Sequence, residues 1–177
     1  MSQVVMVIAP SGFRDEEYDH PKKALEGRGA TVTTASVTPQ TCIGKLGMVA
    51  DATIAIADVE ATDYDAVIFV GGAGASVFFD DADAHRLARE SLALGRVVAA
   101  ICIAPSTLAH AGLLAGRRAT AFSSQKDDLI AHGARWTGTT VEVDGPVITA
   151  NGPAAAHGFG MTVADALGLP YTRDEGE

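Results

Sequence analysis

The chain has 177 residues, a size that suits one domain with a substantial core. Hydrophobic residues make up 47% and charged residues 20%, a balance that excludes a disordered or fibrous chain. The formal charge of -9 argues against nucleic acid and anionic membrane surfaces as partners, because both need a cationic footprint.

No stretch is apolar for long enough to span a bilayer, and Met1 to Pro10 lacks the basic flank of a signal peptide. Two cysteines, Cys42 and Cys102, make neither a disulfide framework nor a zinc cage. A cytoplasmic protein with reduced thiols is expected, with no cofactor and no metal.

Apolar runs of strand length alternate with longer helical patterns, which predicts a mostly parallel sheet covered on both faces. Val4 to Ala9 is a continuous apolar run, as a doubly buried strand requires. Ser11 to Arg14 reads as a loop, and the helix after it ends near Gly27 or Gly29, with Pro21 expected to start or kink it. Ala30 to Ser36 is the next strand, and the Gly-punctuated stretch Thr41 to Val59 has room for a hairpin at the sheet edge. Ala66 to Val70 is a buried strand stopped by Gly71-Gly72-Ala73-Gly74. Asp80 or Asp81 caps a helix running to about Leu94.

Val97 to Ile101 is a third buried strand leading into Cys102, followed by a helix that closes near Gly112. Arg118 to Phe122 reads as a strand and Gln125 to His132 as a short helix. Asp144-Gly145 joins two strands in a hairpin, and Pro153 opens a last helix that stops at Gly168-Leu169-Pro170. Residues 1–177 are read as a single domain, with 171–177 as a frayed tail.

Chemistry concentrates at Ala100-Ile101-Cys102-Ile103-Ala104. A nucleophile at a tight strand-to-helix turn needs small residues two positions to either side, which Ala100 and Ala104 supply. The turn places the thiol at the carboxyl edge of a central strand and aims the next helix's N-terminus at it, favouring thiolate. Gly71 to Gly74 does not fit a dinucleotide or P-loop fingerprint; it reads equally as a plain turn or as bare N–H groups for an oxyanion. Asp15-Glu16-Glu17 lies just past the first strand, where a protonated carboxyl could donate to a thiolate. The five histidines read as packed or surface residues, and only His157, early in the last helix, is considered near a site. No two of them show metal-ligand spacing with a matching carboxylate.

Five segments in this order resemble the ThiJ/PfpI superfamily, over nearly the whole chain from Val4 to about Leu167. They are Phe13-Arg14-Asp15-Glu16-Glu17, Val70 to Gly74, Ala99 to Pro105, Ala111-Gly112-Leu113-Leu114 and Ile148 to Pro153. The resemblance implies a flavodoxin-like three-layer α/β sandwich, a homodimer, and a reactive cysteine on a nucleophile elbow. It gives Cys102 the nucleophile's place, Glu17 that of the buried acid beside the sulfur, and Gly72 with the N–H of Cys102 or Ile103 the oxyanion hole.

The departures bear on function. Ile103 stands where PfpI-type members have histidine after the cysteine, and Phe122 stands where deglycase-like members have theirs. Proteolysis needs a proton donor for the departing amine, so a protease is not expected. Two classes survive. One is an enzyme with glyoxalase, deglycase or hydrolase-like activity on small carbonyls. The other is a non-enzymatic stress-response protein, a redox sensor or chaperone, whose cysteine meets an oxidant. Ser123, Ser124 and His157 are the auxiliary acid–base candidates.

Overall fold

The computed structural model describes residues 1–171 of the chain. Its strands and helices, in chain order, are β1 (Gln3–Val7), β2 (Ser11–Phe13), α1 (Asp15–Gly27), β3 (Thr31–Ser36), β4 (Gln40–Gly44), β5 (Val49–Ala52) and β6 (Ile54–Ala55). Then come β7 (Ala66–Phe69), α2 (Ala82–Ala93), β8 (Val97–Ile101), α3 (Pro105–His110), β9 (Arg118–Ala119), α4 (Lys126–Ala131) and β10 (Arg135–Trp136). The chain closes with β11 (Val141–Asp144), β12 (Val147–Ala150) and α5 (Ala156–Ala166).

Seven strands form the central sheet in the order β11-β12-β8-β7-β1-β3-β6. Every pairing in it is parallel except β11 with β12, which are joined by the Asp144-Gly145 hairpin. Alternation along the strands divides the core into two layers. Val4, Met6 and Ile8 face one side with Ile68, Ala99 and Ile148, under α1 and α5 (Leu25, Phe159, Val163). Val5, Val7 and Ala9 face the other side with Val67, Phe69 and Val98, under α2 and α3 (Leu87, Leu108). Burial on both faces is why these strands read as continuous apolar runs. The result is the expected three-layer α/β sandwich, flavodoxin-like in arrangement.

Several local readings are corrected. Ser11 to Phe13 is a strand, because it pairs with β4 in a small sheet of order β2-β4-β5. The Thr41–Val59 excursion does contain a hairpin, β4 with β5, but the hairpin belongs to that second sheet, and only β6 reaches the central edge. The Arg118–Phe122 strand is two residues long. Pro21 does not start α1, which spans Asp15–Gly27 with the proline inside it. Its buried ring faces Gly160 of α5, where a β-carbon would lie 2.6 Å from the Pro21 α-carbon, so the two helices meet backbone to backbone. Asp81, not Asp80, caps α2, its carboxylate accepting the Ala84 N–H at 2.8 Å.

Tyr171, the first residue of the expected frayed tail, is exposed but donates to Asp165 at 2.9 Å. The remaining tail, residues 172–177, lies outside the described residues. No described helix is long and apolar enough to cross a membrane.

Candidate active site

β8 delivers its last residue, Ile101, into a turn whose tightness is visible in one dihedral angle. Cys102 has φ of 63°, and among the described residues it alone adopts a positive φ without being glycine. A left-handed side-chain-bearing residue costs on the order of 1–2 kcal/mol, so the surrounding fold must hold it there. Holding comes from both sides: the Cys102 N–H donates to Ala150 of β12 at 2.9 Å, and its carbonyl accepts the Phe122 N–H at 2.8 Å. The nucleophile elbow read from Ala100 and Ala104 is therefore present in the backbone.

Glu17, in the first turns of α1, is completely buried. Neither of its carboxyl oxygens has a hydrogen bond of normal geometry. It faces the elbow across Gly71: a β-carbon on that glycine would sit 2.5 Å from Glu17 Oε1 and 2.5 Å from Cys102 Cβ. Gly72 follows with φ of 95°, packed against the backbone of Gly12 and Arg14, and the Arg14 N–H donates to the Gly71 carbonyl at 2.9 Å. The glycine pair thus lets the acid, the thiol and the β2–α1 junction meet without intervening side chains.

Burial pushes Glu17 up to about 7, opposed chiefly by its coupling to Cys102. Burial also pushes the Cys102 thiol up to about 12, reinforced by the charge on Glu17 and opposed by the backbone N–H groups of Gly72 and Ile103. This corrects the simple expectation of a thiol shifted toward thiolate. The two groups titrate together: protonating Glu17 removes the charge that opposes the sulfur and leaves the two N–H groups favouring its anion.

Cys102 opens onto a cleft of about 420 Å³ walled by Ile103, Phe122 and Pro153, with Arg14 and Lys45 at its charged side and Ser124 beside it. Sequence reading had no means of placing Lys45 here, since the β4–β5 turn carries it in from the second sheet. The backbone N–H groups of Gly72 and Ile103 lie at the Cys102 sulfur. His157 does not: it is exposed, beside His20 and Lys23 where α1 meets α5. Ser123 points to a neighbouring groove with Trp136 and Asn151. Among the described residues, no histidine lines the Cys102 cleft. Cys42 is buried in β4, and both cysteines are free.

One cluster escaped the sequence. His110, Asp128 and His132 converge at the α3–α4 contact, contrary to the expectation that no histidine pair has a matching carboxylate.

A family model described as the DJ-1/PfpI family matches residues 2–166. An uncharacterised protein of Methanocaldococcus jannaschii is 38% identical over 94% of this chain and 82% of its own length. A deglycase of Pyrococcus abyssi is 31% identical over 84% of this chain and 90% of its own. Among solved structures, a ThiJ/PfpI domain protein from Brachyspira murdochii superposes with a TM-score of 0.92 at 31% identity, covering 94% of this chain and 96% of that one.

Proposed function

Because the chain belongs to the DJ-1/PfpI family, we propose that Cys102 and Glu17 act as one proton-sharing pair that attacks small reactive carbonyls, in a glyoxalase- or deglycase-like reaction. The observation that carries this reading is the buried, otherwise unpartnered Glu17 carboxyl set against the strained Cys102 elbow. A carboxyl poised near neutrality is suited to take a proton from one atom and return it to another.

The thiol proton passes to Glu17 as the sulfur forms a bond to the aldehyde carbon. The carbonyl π pair moves to oxygen, next to the Gly72 and Ile103 N–H groups, and Glu17 returns the proton there to give a hemithioacetal. With a neighbouring ketone, as in methylglyoxal, Glu17 then takes the carbinol C–H proton and returns it to the adjacent carbon, while the hydroxyl proton passes to the ketone oxygen through an enediol. The product is a thioester, and water cleaves it to the hydroxy acid and the free thiol. No amine leaves in this sequence, so the phenyl ring of Phe122 in place of an imidazole is tolerated, whereas peptide hydrolysis would lack its proton donor.

A second reading has its own support in the cleft, where no described histidine stands near the sulfur. Cys102 then meets an oxidant such as peroxide and is carried to sulfinate, held by protonated Glu17 and the two N–H groups, in a stress-response or sensing role. A homodimer in the cytoplasm, without cofactor, nucleic acid or membrane, completes the proposal.

Methylglyoxal turnover by Cys102→Ser tests the first reading. The expected result is loss of turnover together with loss of the two-oxygen mass gain at that residue after peroxide. Retained turnover removes Cys102 from the reaction.

A further inference from the structure

We propose that His110, Asp128 and His132 form a binding site for a divalent transition cation, with Zn²⁺ the best fit to the donor set. It lies at the far end of α3 from Cys102 and is independent of the cysteine chemistry.

Two helices build it. On α4 and its C-terminal cap, Asp128 and His132 are one turn apart and so share a face, with His132 Nδ1 3.4 Å from Asp128 Oδ1. The last residue of α3, His110, presents Nε2 to the same carboxylate, 3.0 Å from Oδ1 and 2.9 Å from Oδ2. One donor atom from each of the three residues lies within 4.8 Å of the others. Ligands bonded to zinc at about 2.1 Å in a tetrahedron are spaced roughly 3.4 Å apart. The His132–Asp128 separation of 3.4 Å has that spacing, and the His110–Asp128 contacts at 3.0 and 2.9 Å need only open slightly when the shared proton leaves.

Asp80 supplies the supporting contact. Its Oδ1 takes the Nδ1–H of His110 at 2.7 Å, which fixes that ring and turns Nε2 inward toward Asp128. A carboxylate holding the outer nitrogen of a histidine is the usual support behind a metal-ligating imidazole. His110 is further confined by Phe79, 5.8 Å away centre to centre, and by the His132 ring stacked on it at 4.5 Å and 22°.

An ion pair alone accounts for less of this arrangement. Asp80 and Asp128 already flank both nitrogens of His110, so a bridging imidazolium is complete without His132. His132 has another contact, its Nδ1 lying 2.8 Å from the Asp128 carbonyl at the end of α4. Stacking it on a charged ring serves neither the bridge nor that cap. A cation gives the second nitrogen a purpose: it replaces the protons on His110 Nε2 and His132 Nδ1, which pass to solvent. The ligands are part-exposed, at 18%, 29% and 38% of their side-chain surface, so water can enter and fill the remaining position.

Calorimetric titration of the full chain with ZnCl₂ at neutral pH, after chelator treatment and desalting, tests the site. The expected outcome is one Zn²⁺ per chain, binding at least about tenfold weaker in His132→Ala and in Asp80→Asn, and unchanged in Cys102→Ser. Both weakened variants alter part-exposed or exposed side chains, and unchanged unfolding temperatures without zinc confirm their fold. Absence of saturable binding to the wild-type chain overturns the proposal. So does weak multi-site binding indifferent to these substitutions, or binding lost in Cys102→Ser, which would put the cation at the thiol.

Discussion

Glu17 and Cys102 press on the bare α-carbon of Gly71 from two sides, and a single methyl group there would lie 2.5 Å from both. The Ile101 carbonyl would be 2.6 Å away on a third side. Backbone and a fully buried carboxyl cannot retreat cheaply, so Gly71→Ala is expected to destabilise the fold by about 1–3 kcal/mol. It should also slow alkylation of Cys102 while leaving denatured-state thiol reactivity unchanged. Urea melts and timed iodoacetamide labelling read the two effects, and a neutral substitution would mean the contact is slack.

Coupling between the acid and the thiol predicts the pH dependence of reactivity. Glu17 loses its proton at about 7, and the charge it gains opposes the Cys102 thiolate. Cys102 alkylation in the wild-type chain is therefore expected to flatten above neutral pH. In Glu17→Gln that charge is absent, so alkylation should keep rising with pH and exceed the wild type on the alkaline side. Identical profiles for the two proteins would dissolve the pair.

Stability should carry the same signature. Folding raises the Glu17 pKa, so its proton favours the folded chain at low pH, and that contribution fades as pH climbs from 4.5 through about 7. Glu17→Gln lacks the dependence and should gain on the wild type by on the order of 3 kcal/mol across that window. Chemical denaturation at pH 4.5 and pH 8 gives the comparison; a constant difference would contradict the raised pKa.

The charge of Lys45 offers a test of the carbonyl reaction proposed for the cleft. Arg14 is engaged by Glu16 at 2.7 Å, whereas Lys45 makes no ion pair among the described residues and lies at the cleft. Lys45→Gln is expected to raise KM for an anionic carbonyl such as glyoxylate by about two- to fivefold, as an exposed charge interaction allows. KM for methylglyoxal should stay put. The difference should shrink in high salt.

The backbone at Cys102 separates reactivity from stability. Cys102→Gly removes the left-handed strain at φ of 63°, whereas Cys102→Ala keeps it. Both lose the thiol, but the glycine variant should be the more stable by about 0.5–1 kcal/mol once its greater unfolded-state freedom is subtracted. Thermal melts of the two variants decide.

Much of the fold was legible because Val4 to Ala9, Ala66 to Val70 and Val97 to Ile101 are buried on both faces and carry no polar interruption. Cys102 was legible because the elbow demands small residues on either side, a local constraint that Ala100 and Ala104 satisfy. Glu17 was separable from Asp15 and Glu16 only through family resemblance: the three are adjacent, and the turn of α1 decides which points inward. Asp15 instead accepts the N–H groups of Leu46 and Met48, at 3.1 and 3.0 Å. His157, the one histidine considered near a site, sits exposed where α5 meets α1, in keeping with the surface role that position early in a helix also allowed. The His110–Asp128 contact and the arrival of Lys45 depend on how separate elements dock, which no local pattern encodes.

Pro21 lies one turn along α1 from Glu17 and meets Gly160 with no side chain between them. The acid's depth is consequently set from behind, by the separation of two helix axes, and not only by its neighbours in the cleft. Any side chain at position 160 would act as a spacer, shifting α1 and the carboxyl it carries without entering the pocket. Remote tuning of this kind would leave every cleft-lining residue unaltered.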